Sequence, residues 1–178
     1  VVFHEVGSTL EKDLARAESV AIPVTMLLLL LVFGTLVASG LPAVIGAVAV
    51  LGSFFALWVT TQVTDVSIFA INLVTALGIG LGIDYALFMV TRFREQLGRG
   101  DDPHEAVVRT VASAGRTVVF SGITVAIALF ALLVFPQFFL RSFAYAGIAT
   151  VTLAVLAAVL VLPALLAVLG TRVNRFRV

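Results

Sequence analysis

Five apolar stretches divide this chain: Val20 to Ala38, Pro42 to Val63, Val66 to Thr91, Thr117 to Phe135 and Phe143 to Leu169. Each is close to the roughly 20 residues that a helix needs to cross about 30 Å of hydrocarbon. Lipid offers no hydrogen bonds, so a backbone inside it must satisfy its own N–H and C=O groups, which a helix does within one segment. The expected fold is therefore all-α, a polytopic transmembrane helix bundle of five spans. Composition agrees: 61% of the 178 residues are hydrophobic and 12% are charged, against roughly 25% charged in soluble domains.

The polar intervals set the expected topology. "SGLP", residues 39–42, reads as the turn between the first two spans, "TTQVTDVS", residues 60–67, as the next connection, and "PQFFLRS", residues 136–142, as the last. The one long connection covers residues 92–116, "RFREQLGRGDDPHEAVVRTVASAGR". In it Asp102 as N-cap, Pro103 at the first helical position and Glu105 two residues later read as a capping box that starts a short helix on the membrane surface. Arg92, Arg94, Arg99, Arg109 and Arg116 lie in this connection and Arg172, Arg175 and Arg177 in the tail, most of the 11 basic residues. The positive-inside rule makes that side cytoplasmic, which puts the N-terminus outside and the protein in the plasma membrane as a multi-pass protein.

Residues 1–19 are then the end of an extracytoplasmic domain with a polar stem helix, 20–170 a transmembrane domain that includes the cytoplasmic loop 92–116, and 171–178 a cytoplasmic tail. The chain opens on Val1, without a charged segment leading into an apolar one, and reads as part of a longer polypeptide rather than as a signal peptide. With no cysteine there is neither a disulfide framework nor a thiolate metal site. His4 and His104 lie outside the apolar runs. No basic run interleaved with aromatics points to nucleic acid. No nucleophile with a base and no metal cluster occurs in the spans, so neither an enzyme nor a cofactor is expected.

One residue breaks the apolar pattern. In "GLGIDYALFMVTRFREQ", residues 80–96, Asp84 lies eight residues before Arg92, about 12 Å along a helix and well inside the hydrocarbon. A charge there costs on the order of 3 kcal/mol, and such residues usually face a bundle interior and serve an ion or substrate path. A side chain as short as aspartate does not reach the interface by snorkelling. Low dielectric favours the neutral carboxyl and nearby donors favour the charged one, so a group so placed can load and release a proton.

Tyr85 sits beside it, offset by about 100° around the helix and aimed at a different neighbour. Gly78, Gly80 and Gly82 thin the same helix, with Gly80 one turn away on the Asp84 face. Thr117, Ser121 and Thr124 form one polar stripe on the fourth span, and an antiparallel arrangement brings Ser121 near the depth of Asp84. For each hydroxyl the competing reading is a bond back to its own helix. Asn72 reads as interhelical glue, Pro163 as a kink and Arg141 as a marker of the outer interface.

"GLGIDYALFMVTRFREQ" followed by "GRTVVFSGITVAIALFAL" resembles the MMPL family (mycobacterial membrane protein, large) of the resistance-nodulation-division exporters. The resemblance covers nearly the whole chain, with the five spans matching helices two to six of the first half of such a transporter. It implies a twelve-helix bundle of two pseudo-repeated halves with porter domains outside. Asp84 and Tyr85 would be the proton-relay pair and Ser121 the serine that contacts it. Protons, a lipid or other hydrophobic substrate and membrane lipids would be the partners. The second half, with its own Asp-Tyr pair, is absent, so the chain is either a truncated portion or one of two halves that associate as a homo-oligomer. Two functions follow: a segment of a proton-driven exporter of lipids or hydrophobic compounds, or a lipid-binding regulatory module like a sterol-sensing domain, which has the same extent.

Overall fold

The computed structural model describes residues 19–21, 23–31 and 33–174, which are helical almost throughout. The stem expected over residues 1–19 and the arginines at 175 and 177 thus fall largely outside the described residues. The helices are α1 (Ser19–Leu31), α2 (Leu36–Thr61), α3 (Phe69–Gly98), α4 (Pro103–Thr110), α5 (Arg116–Phe130), α6 (Phe138–Leu156) and α7 (Leu162–Leu169). Four continuous rods are long and apolar enough to cross a membrane: Leu36–Thr61, Phe69–Gly98, Pro103–Val134 and Phe138–Asn174. α1 is apolar but shorter. At helical rise α3 is about 45 Å long, so its polar end from Arg92 onward leaves the hydrocarbon.

Lipid is as apolar as the side chains it surrounds, so close packing rather than hydrophobic exclusion holds such a bundle together. α2 and α3 meet backbone to backbone, where a Cβ on Gly82 would lie 2.6 Å from Gly46 Cα. One turn earlier, a Cβ on Gly78 would meet Val50 Cγ2 at 2.9 Å. α6 lies against both helices, and α5 packs on α6, where Gly122 makes room for Val155 and Gly147 for Leu129. Ile45, Met89, Phe93, Leu162 and Leu166 are wholly buried at the centre.

The turn from α1 to α2, the end of α3 and the chain after α7 share one end of the bundle, the end that carries most of the arginines. Arg94 donates from Nε to Asn174 Oδ1 and from Nη1 to the Phe33 carbonyl, each at 2.8 Å, with its guanidinium 5.7 Å from the Phe33 ring centroid. Thr35 Oγ1 donates to the Val173 carbonyl at 3.2 Å and is buried.

Several expectations need correction. The first connection turns at Gly34 and Thr35, not at "SGLP". Gly34 has φ 60°, a conformation that costs glycine little, and α2 runs from Leu36 straight through Ser39 to Pro42, with Pro42 inside the helix. The capping box is half formed: Asp102 Oδ2 accepts from the His104 N–H at 3.2 Å, but Glu105 pairs with Arg109 at 2.6 Å instead of reaching back. The helix it starts does not lie apart on the membrane surface; α4 runs through a π-turn, Val111–Gly115, into α5 as one rod. A second π-turn, Ala157–Val161, stands just before Pro163. It holds Val159, the residue whose carbonyl a proline at 163 would crowd in a regular helix.

Candidate functional site

The inner side of α3 buries Val74, Gly78, Gly82, Tyr85 and Met89, which follow steps of three and four toward α2 and α6. Its outer side carries Asn72, Ala76, Gly80, Asp84 and Phe88 at steps of four, all exposed. Asp84 therefore faces away from the helices of this chain. Among the described residues it makes no ion pair and no hydrogen bond. Gly80 lies on the same face with nothing within 4 Å of where a Cβ would stand, and Asn72 opens that face toward the far end.

Tyr85 takes the other direction, as its helical offset predicts. The ring is buried and its hydroxyl lies 3.5 Å from Ser121 Oγ on α5, a contact at the outer limit of a hydrogen bond in which either oxygen can donate. Ser121 thus sits at the depth expected, and its contact is with the tyrosine rather than with the carboxylate. The polar stripe divides. Thr124 donates back to the Phe120 carbonyl at 2.9 Å and Thr117 to the Ser113 carbonyl at 3.5 Å, both exposed, so only Ser121 crosses to another helix.

The chemistry open to this arrangement is proton exchange at a carboxyl, with a phenol and an alcohol in contact with each other on another face of the same helix. Among the described residues no three His, Cys, Asp or Glu side chains come together to hold a metal. A cavity of about 680 Å³ exists at the arginine-rich end, beside Phe33, Arg94, Asp101 and Asn174. Arg94 is ten residues from Asp84, about 15 Å along α3, so this cavity is separate from the carboxylate. The sequence showed Arg94 only as a basic residue. Its partners lie 61 and 80 positions away, and no local pattern announces them.

Fold and site together define a multi-pass helical membrane protein with an acidic residue set into the middle of one span. The chain belongs to the MMPL family, whose model matches residues 1–178. It is 49% identical over 170 residues to the Streptomyces coelicolor membrane protein SCO6666, which covers 96% of this chain and 24% of that protein. Over 170 residues it is 46% identical to the trehalose monomycolate exporter MmpL3 of Mycolicibacterium smegmatis, covering 96% of this chain and 17% of the exporter. With the mycolic acid-containing lipids exporter MmpL11 of the same organism it shares 35% identity over 158 residues, 89% of this chain and 17% of that protein. The chain thus spans a quarter or less of the curated relatives it matches.

Proposed function

We propose that this chain is part of the first membrane half of an exporter that moves lipids or other hydrophobic compounds outward at the expense of the proton gradient. Asp84 takes up and releases the proton, and Tyr85 with Ser121 forms the adjoining polar path. The observation that carries the reading is the outward aim of Asp84 at mid-span. A carboxylate turned to lipid costs on the order of 3 kcal/mol, so this face of α3 is one that a further protein element covers, such as a second membrane half. Gly80 beside it leaves room for a close approach. The lipids named for the two exporter relatives support the substrate class. Residues 1–19 lead in from an extracytoplasmic domain and the arginine-rich end faces the cytoplasm.

The test is Asp84→Asn in the full-length protein, reconstituted in proteoliposomes, with lipid export and proton uptake measured side by side. Both are expected to be lost while the variant stays folded in the membrane. Export that continues in Asp84→Asn refutes the proposal. Crosslinking of a photoactivatable lipid that is indifferent to both the gradient and Asp84 favours the lipid-sensing module instead.

A further inference from the structure

We propose that Arg94 is a positioning residue for the Asp84 site: it fixes the rotation of α3 about its own axis, and so the direction in which Asp84 points. The inference rests on the proton-relay reading above. The contacts nearer to Asp84 limit that rotation by packing, with Val50 seated on Gly78 and Ile79 and Ile83 flanking Gly46, but supply no short directional bond. At the crossing of α2 and α3 two glycines touch, Gly46 and Gly82, and glycines have no side chains to interlock. That contact sets the distance between the helices, and only the apolar side chains around it oppose a roll. The Tyr85–Ser121 contact, at 3.5 Å, is too long to hold the helix against rolling. The buried side chains of Met89 and Phe93 oppose a roll by packing alone.

Arg94 differs from all of these. Its planar guanidinium donates in two directions to two separate pieces of chain, the Phe33 carbonyl before the α1–α2 turn and Asn174 after α7, both at 2.8 Å. Charged donors at that length are among the stronger hydrogen bonds a protein makes, and the fork resists rotation as a single point charge does not. The far side is itself tied, since Thr35 holds Val173. Arg94 follows Asp84 by ten residues, so the two side chains leave α3 about 80° apart and one rotation governs both. A carboxyl carried about 5 to 6 Å from a helix axis moves about 1 Å for each 10° of roll. A displacement of that size can cost a reaction on the order of a hundredfold.

The groups that face this region do not take over the task. Tyr85 is the other titratable residue of α3 at this depth. α2 carries no charged residue, and Arg116 of α5 and Arg141 and Tyr145 of α6 lie toward the ends of their helices.

The experiment compares Arg94→Ala, Arg94→Lys, Asn174→Ala and Asp84→Asn in the full-length protein in proteoliposomes, following proton uptake against pH. Arg94→Ala is expected to slow uptake tenfold or more and to move the pH midpoint of uptake. Arg94→Lys should fail to restore the midpoint, because one ammonium cannot span both acceptors, and Asn174→Ala should move it in the same direction by less. An unchanged midpoint in Arg94→Ala, or full rescue by lysine, overturns the proposal. Rotation is read independently by placing cysteines at positions 85 and 121 and joining them with a short bifunctional thiol reagent, whose yield should fall at least severalfold when Arg94→Ala is added. An unaltered yield also overturns the proposal. If uptake persists in Asp84→Asn, the relay reading fails by itself, and the crosslinking yield still decides whether Arg94 sets the rotation.

Discussion

Replacing Gly82 by alanine tests the packing account most directly. The added Cβ would stand 2.6 Å from Gly46 Cα and 3.1 Å from Gly46 N, whereas carbon atoms in contact need about 3.5 Å. The deficit of about 0.9 Å falls on backbone, which cannot swing aside, so α2 and α3 must separate along the crossing. Overpacking of this kind typically costs about 1 to 3 kcal/mol. Two other glycines supply controls. A Cβ on Gly46 finds Ile83 Cγ1 at 3.5 Å and Ile79 O at 3.7 Å, ordinary contacts, and one on Gly80 finds nothing within 4 Å. Gly46→Ala should therefore be close to neutral, and Gly80→Ala neutral or stabilising by about 0.5 to 1 kcal/mol from the better helix propensity of alanine. Equilibrium unfolding in mixed micelles, followed by helical circular dichroism, gives the three values in one series. Should Gly82→Ala lose no more stability than Gly46→Ala, the backbone contact does not exist in the form described.

Gly34→Ala should cost about 1 to 2 kcal/mol in the same assay, a conformational penalty alone, since its φ of 60° disfavours side chains while nothing stands within 4 Å. Asp102→Ala should remove about 1 kcal/mol by leaving the His104 N–H without its cap, and Asp102→Asn should remove almost none. Breaking the exposed Arg109–Glu105 pair with Glu105→Ala should leave stability almost unchanged, and raised salt should erase any difference. Tyr85→Phe, which removes the hydroxyl next to Ser121, should lower stability by less than about 1 kcal/mol, while proton uptake in proteoliposomes falls much further.

What the sequence disclosed follows from the scale of each signal. Long apolar runs carry a membrane span unambiguously, and Thr64, Asp65 and Ser67 mark the second connection because polar residues cluster there. The first turn was misplaced for the same reason. "VFGTLV" around Gly34 is apolar on both sides, while "SGLP" looks like a turn and is helical, since Pro42 sits where α2 tolerates it. The pairing of Ser121 with the depth of Asp84 was open to counting from the nearest arginines. The outward aim of Asp84 was not, because a helix's rotation is decided by what packs on it, here Gly46 and the partners of Arg94, all distant in sequence. Neither π-turn has a signature in "VASAG" or "AAVLV".

The π-turn at Val111–Gly115 gives α5 a phase that its residue count alone would not. A π-turn accommodates one residue more than the regular helix would in the same length, and one residue is about 100° of azimuth. Ser121 meets Tyr85 because that extra step has already been taken before α5 begins. Loss of a single residue between 111 and 115 would let this turn revert to regular α-helix and keep the serine on the tyrosine's side, whereas the same loss in the regular part of α5 before Ser121 would turn it about 100° away. The place in this rod that best absorbs a one-residue deletion is thus inside the helix and not in a loop.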